Sequence, residues 1–372
     1  MSATASVRTA LFSYVLPPAS FLLALVFRVG IVPIEGTGSP ALVAIDGLSI
    51  VIVLSTVFAT LNHAEAIAHR VREPYGTLVL TFAVTTIEVS VIVSMMLHGA
   101  NNPTLARESV FSTVMIVCTG IVGICLTVGG WRHSRQDIKR QGTSAYLSVL
   151  IGLTVLTMVL PNFTLTTGPG TFSPVQLVFV SLLSVLFYAG FVFAQSYGQK
   201  DDFADERPSP HAAAAPRTAS GSLARLVLFL FVGLGGIVLL TEQVAAGVED
   251  GLAYLQVAQS DAIVGALLAT VILMPEAISA IKAALRNELQ RGLNVALGSA
   301  CATIGMTIPA VAAASLITQH PLTLGLNSGD TVLLLLALTM SVVSFGTGRT
   351  TILTGLSHLV IFVAYVMLIV VP

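Results

Sequence analysis

About eleven apolar runs, each close to the length that crosses a bilayer, follow one another along this chain of 372 residues. A spanning helix needs about 20 apolar residues, and in hydrocarbon every backbone N–H and C=O must find its partner inside the protein. The chain is therefore read as an all-α polytopic membrane protein. The runs fall at about residues 10–29, 41–62, 75–97, 108–130, 144–161, 174–195, 223–241, 261–281, 292–316, 328–345 and 351–371. The first is kept as a transmembrane helix and not a cleaved leader, because Pro17-Pro18 falls within it and no small-residue cleavage site follows. Hydrophobic residues make up 55% of the chain and charged residues 9%, which is too little polar surface for a soluble domain of this size. A net charge of −1 argues against a nucleic-acid partner. Cys118, Cys125 and Cys301 all lie in apolar runs without metal-ligand spacing and read as small buried hydrophobes.

One run carries a carboxylate near its middle. In YGTLVLTFAVTTIEVSVIVSMML, Tyr75 to Leu97, Glu88 stands twelve residues beyond Gly76, so it lies about 18 Å into a core about 30 Å thick. A charge there is costly unless it faces a polar cavity, a partner or a cation, and it marks a functional site by default. A protonated Glu bonded to a neighbouring helix is the structural alternative. A second run, DAIVGALLATVILMPEAISAIKAAL, places Glu276 eleven residues after Gly265. Each leads into a further pair of similar segments, SVFSTVMIVCTGIVG from Ser109 and RGLNVALGSACATIG from Arg291. Midplane carboxylates at corresponding places in two halves are the sequence signature of a transporter site at a repeat interface.

The two halves are joined by Tyr197 to Ser222, YGQKDDFADERPSPHAAAAPRTASGS, which is rich in Pro, Ala, Ser and charge, has no apolar period and reads as a solvated linker. The expected organisation is an N-terminal helix in residues 1–40, a first five-helix repeat at 41–196, a cytoplasmic linker at 197–222 and a second five-helix repeat at 223–372. With the N-terminus inside, only Arg28 and Arg107 of the 17 basic residues lie toward the outside. That asymmetry predicts the N-terminus and the linker in the cytoplasm and the C-terminus outside. Glu88 then sits on a span running outward and Glu276 on one running inward, which makes the halves inverted repeats.

The stretch EPYGTLVLTFAVTTIEV at 73–89, with LMPEAISAIKAALRNELQRGLNVALGSACATIGMTIPAVA from Leu273, resembles the calcium:cation antiporter superfamily. Within it the resemblance is to the cation/proton exchanger branch and its bacterial Cha-type calcium/sodium(potassium):proton antiporters, and it covers the chain from about residue 41. It implies one leading helix plus two inverted five-helix repeats in a bacterial inner membrane. It also implies export of Ca2+, Na+ or K+ against H+, with Glu88 and Glu276 as the repeat carboxylates that hold cation and proton. Asp201, Asp202, Asp205 and Glu206 occupy the place of that branch's acidic inter-repeat segment. Many relatives carry Gly-Asn before each repeat carboxylate, whereas Glu88 here follows Val84-Thr85-Thr86-Ile87 and Glu276 follows Ile272-Leu273-Met274-Pro275. Pro275 is expected to disrupt the helix just before Glu276 and free carbonyl oxygens for an ion.

Ca2+ takes six to eight oxygen ligands, so the two glutamates need hydroxyls, amides, carbonyls and water beside them. Thr85, Thr86, Ser109, Ser112, Asn294 and Ser299 are the supporting candidates, and Asn294 stands first because an amide in lipid is expensive unless paired. Low dielectric favours the protonated carboxyl and a nearby cation reverses that preference, so protons and cation compete for one site. No resident cofactor is expected; the partners are the lipid bilayer, inorganic cations and protons. His63, Glu65 and His69 lie near the inner interface, where a structural reading competes with pH sensing or gating. Trp131 reads as an interfacial anchor, and His320 and His358 carry no constellation. A cation channel with an acidic filter is the alternative function.

Overall fold

The computed structural model describes residues 3–29, 40–71, 75–98, 103–165, 168–198, 200–203, 222–254 and 260–371. Eleven long helices occupy the eleven apolar runs: α1 (Ala3–Arg28), α2 (Pro40–Val71), α3 (Tyr75–His98), α4 (Leu105–His133), α5 (Arg140–Phe163), α6 (Pro174–Tyr197), α7 (Leu223–Tyr254), α8 (Ser260–Leu285), α9 (Leu289–Thr318), α10 (Ser328–Gly346) and α11 (Ile352–Val370). Among the described residues nine are long and apolar enough to cross a membrane, and the apolar stretches Phe12–Arg28 and Ala83–Val93 belong to α1 and α3. The architecture is a leading helix followed by two five-helix repeats, α2–α6 and α7–α11. Five crossings are an odd number, so a second repeat must start on the side opposite to the first, and the repeats are inverted. Among the described residues the only strands are Gln136–Asp137 and Arg349–Thr350, which pair antiparallel.

Two compact units cut across these repeats: residues 1–100 with 214–260, and residues 101–213 with 261–372. In the first, α1, α2, α3 and α7 pack together. Gly236 of α7 approaches Ser20 and Phe21 of α1 so closely that a Cβ would lie 2.9 Å from the Phe21 nitrogen. Small residues at such crossings let backbones meet where lipid supplies no hydrophobic drive between helices. Pro17 has no N–H for the Ser13 carbonyl one turn back, and His63 of α2 approaches that carbonyl with Nε2 at 2.8 Å. Asn62 donates to the Ser13 hydroxyl at 3.1 Å, and the Tyr14, His63 and Phe229 rings cluster with centroids 5.0 to 5.6 Å apart.

In the second unit α4 crosses α11 at glycines, where a Cβ on Gly130 would lie 2.7 Å from the Ile352 nitrogen. The long helices α4, α5, α6 and α9 are not α-helical throughout: they contain or end in π segments, Ile116–Ile121, Val155–Val159, Ala194–Gly198 and Thr303–Thr307. In α9 the cause is legible, since Pro309 cannot donate to the Gly305 carbonyl. The interval from Glu88 to the π segment of α4 and from Glu276 to that of α9 agrees to within one residue. The π segments thus keep the register of the two glutamates, whereas pairing Ser109 with Arg291 shifts it by about a turn and a half.

At one end of this unit Gln136 donates to the Ala284 carbonyl and to Asn287, while Arg349 pairs with Asp137 at 3.1 Å. At the other, residues 323–326 bond through their backbone N–H groups to the carbonyls of Pro103, Gly170 and Met158. The linker is not wholly solvated. A short helix, Lys200–Phe203, buries Phe203 against Tyr146 and Phe191 with ring centroids 5.4 and 6.1 Å away. The sequence signal was one aromatic residue among charges, too short to show a period; residues 204–221 lie outside the described ones.

The contact between α8 and α4 gives a test. A Cβ on Gly265 would lie 2.8 Å from the Ser109 nitrogen and 2.9 Å from the Glu108 carbonyl carbon, backbone that cannot step aside. Gly265→Ala is expected to cost about 1 to 3 kcal/mol, seen as a melting temperature in detergent lower by several degrees. Gly47→Ala, where a Cβ meets nothing within 4 Å, is expected to leave it unchanged.

Candidate functional site

Glu88 is 3% exposed on α3 in the first unit, with Thr85 also buried one turn before it and Thr86 half-buried. The spacing of three puts Thr85 and Glu88 on one side of the helix. A carboxylate with almost no solvent contact in an apolar run must be paired, protonated or opposite an ion.

Glu276 is half-buried on α8 in the second unit. Helix α8 runs unbroken through Pro275, so the expected disruption is smaller than a break: the proline removes one donor and leaves the Val271 carbonyl, one turn before Glu276, without its helical partner. Eleven residues are three turns plus about 20°, which puts Glu276 on the same face as Gly265. That face meets α4 at Glu108 and Ser109. Ser109 and Ser112, each 1% exposed, continue the stripe along α4. Thr104 donates to Asp261 at 2.6 Å one turn before the Gly265 contact, so α4 and α8 run side by side in the same direction. Eleven residues beyond Ser109 is Gly120, within Ile116–Ile121, and the π segment of α4 therefore stands at the depth of Glu276.

Helix α9 meets α8 where a Cβ on Gly292 would lie 2.8 Å from the Ala280 carbonyl oxygen. Ser299 is two turns further on that face. Asn294, two residues from Gly292, is rotated about 200° away from it. Its amide donates to the Phe203 carbonyl at 2.5 Å and accepts from Gln290 at 2.8 Å, and Gln290 also accepts from the Lys139 N–H at 2.8 Å. The amide that looked the best supporting ligand is engaged with the linker helix, on the side of α9 turned away from Gly292.

The histidine group near the first unit's edge divides. His63 is buried and bonded to Ser13, Glu65 is exposed, and the His69 side chain lies outside the described ones. The structural reading of His63 is the one its contacts support. Trp131 is 81% exposed at the end of α4, as an interfacial anchor should be. Among the described residues no three His, Cys, Asp or Glu side chains are placed to hold a metal together.

Two groups escaped the sequence reading. Glu108 is buried and salt-bridged to Arg107, which also donates to the Gly325 carbonyl at 2.9 Å; adjacent opposite charges at a helix start were its only signal. His358 is fully buried, with Nδ1 2.7 Å from the Cys118 carbonyl and Nε2 2.9 Å from the Ser344 hydroxyl. No local pattern announces that constellation, because its members come from three helices.

Comparison with known proteins adds to this geometry. The profile of the family described as sodium/calcium exchanger protein matches residues 41–197 and 225–371. The putative ionic transporter y4hA of Sinorhizobium fredii is 41% identical over 85% of this chain and 86% of its own length. The sodium-potassium/proton antiporter ChaA of Escherichia coli is 34% identical over 88% and 89%. Among solved structures, native YfkE is similar with a TM-score of 0.72 at 16% identity, covering 97% of this chain and all of that one. The H+/Ca2+ exchanger CAX is similar with a TM-score of 0.68 at 13% identity, covering 98% and 89%. At these identities the two structures speak for the fold alone.

The contacts of His63 are testable without reference to function. His63→Phe keeps a ring beside Tyr14 and Phe229 but removes the imidazole's hydrogen bond to the Ser13 carbonyl, an expected loss of about 1 to 3 kcal/mol. The melting temperature should fall in His63→Phe and recover in His63→Gln. Unchanged stability in His63→Phe would contradict the structural role.

Proposed function

We propose that this chain, which belongs to the sodium/calcium exchanger protein family, is a secondary antiporter that exports Ca2+, Na+ or K+ in exchange for H+. The observation that carries the reading is the pair of glutamates in two inverted repeats, each preceding a π segment, that of α4 or of α9, by an interval that agrees to within one residue. The names of two similar proteins agree: one is a sodium-potassium/proton antiporter and the other an H+/Ca2+ exchanger. The repeats are residues 41–196 and 223–372, after a leading helix in residues 1–40. The N-terminus and the linker lie in the cytoplasm of a bacterium and the C-terminus outside its inner membrane.

Glu88 and Glu276 act as one exchange site. Two carboxylates in a low-dielectric span favour protons when no cation is present, and a cation favours their ionised forms. One set of groups then holds either cargo and not both, and alternation between the two sides turns competition into counter-transport. Thr85, Thr86, Ser109, Ser112 and Ser299 supply further oxygens. The Val271 carbonyl, released by Pro275, is a ligand of the same kind on the glutamate's own helix. Asn294 is assigned instead to docking the linker helix.

Vesicles test this directly. Cation-dependent proton flux is measured with Ca2+, Na+ and K+ added separately, at matched insertion. Glu88→Gln and Glu276→Gln are each expected to abolish coupled flux, because Gln keeps the shape and loses both the charge and the titration. Ser299→Ala should raise the apparent KM for the cation by several fold, and Asn294→Ala should change it by less than about twofold. Near-normal flux in either Gln variant would remove that residue from the site. Cation flux that moves no protons in the wild-type protein would mark a channel.

A further inference from the structure

Helix α4 gives up one α-helical hydrogen bond within the π segment. The Val122 N–H, which would meet the Cys118 carbonyl in α geometry, bonds to Val117 instead. The Cys118 carbonyl is left inside a span where no water replaces the lost donor. Nδ1 of His358 lies 2.7 Å from it. A carbonyl only accepts, so Nδ1 carries the proton. Nε2 of the neutral ring is then an acceptor, and the Ser344 hydroxyl donates to it at 2.9 Å. Phe345 stacks on the imidazole at 6.2 Å and 24° and holds its plane. Helix α10 thus fixes the tautomer, α11 carries the ring, and α4 receives the bond.

We infer that His358 is a positioning residue of the exchange site, which holds the π segment of α4 in place at the depth of Glu276 by supplying the hydrogen bond that segment forgoes. The inference rests on the antiporter reading above. It follows from one distance scale: the Gly265 contact fixes the register of α8 on α4, and the three turns from there to Glu276 equal the three turns from Ser109 to Gly120. A π turn without its outside donor would relax toward α geometry or turn its carbonyl elsewhere. Either change moves the α4 backbone at the depth of Glu276, and with it the oxygen positions that a cation reads. Cation affinity should respond before protein stability sets a limit. His63 performs the same capping for Ser13 in the other unit.

The test compares His358→Leu, His358→Asn and Ser344→Ala in reconstituted vesicles, at matched insertion, with whichever of Ca2+, Na+ or K+ drives proton flux in the wild type. His358→Leu removes the donor and is expected to raise the apparent KM for the cation by about tenfold, with a smaller change in maximal flux. His358→Asn places an amide nitrogen where Nδ1 stands and should return the KM to within about threefold of wild type. Ser344→Ala lets the ring proton move to Nε2 and should fall between the two. An unchanged KM in His358→Leu would overturn the inference, as would a His358→Asn defect as large as that of His358→Leu. Should His358→Leu fail to insert, the other two decide: a wild-type KM in Ser344→Ala, or no function in His358→Asn, overturns it. A wild-type protein without cation-coupled proton flux defeats the antiporter reading and this inference together. Unaltered KM values beside robust wild-type flux defeat only the role given to His358.

Discussion

A backbone carbonyl that loses its helical N–H inside a membrane has no water to turn to, and much of this structure is an answer to that constraint. Pro17 releases the Ser13 carbonyl, and His63 of the neighbouring helix meets it. The π segment of α4 releases the Cys118 carbonyl, and His358 meets that one. Thr119 donates back to Met115 within the same segment, and Ser20 to Pro17 in α1. The two histidine repairs also tie neighbouring helices together more specifically than apolar packing, because lipid tails are as apolar as the leucines that would otherwise do the work. Irregular backbone is the usual place for ion sites in membrane transporters, since a carbonyl free of its helix is an oxygen ligand. Here a proline precedes Glu276 in α8, and the π segment of α4 stands at the same depth.

Close approach is what makes that register exact enough to matter. Gly265 admits the α4 backbone where any side chain would hold it off, and Gly292 does the same for α9 at Ala280. Three helices are thereby set side by side at fixed depth, and the serines of α4 and α9 fall on the faces that meet α8. The two compact units each draw helices from both sequence repeats, with α3 and Glu88 in one and α8 and Glu276 in the other.

The spans were legible in the sequence, and the two glutamates conspicuous in it, because both are local signals. A run of about 20 apolar residues announces itself, and a lone carboxylate inside one is conspicuous against it. Helix ends moved by a few residues to a turn or more, most at α7, which continues to Tyr254 where apolarity ends near residue 241. What the sequence did not show is whatever depends on a distant partner. Asn294 looked like a ligand because an amide in lipid must be paired, and it is paired, with the carbonyl of Phe203 in a linker that reads as solvated. His358 looked isolated because Ser344 and Cys118 reach it from other helices. The π segments keep the hydrophobic pattern of an α-helix, and only in α5 and α9 does a proline just beyond the segment, Pro161 or Pro309, betray the change.

The central claim is that protons and a cation compete for Glu88 and Glu276, and proton release on cation binding tests it most directly. Titrating the purified protein with Ca2+, Na+ or K+ by calorimetry, in buffers of differing ionisation enthalpy, counts the protons given up per cation bound. The account predicts release of about one proton or more, falling as pH rises and the carboxyls ionise beforehand. Binding of a transported cation with no proton released at any pH near neutrality would contradict it.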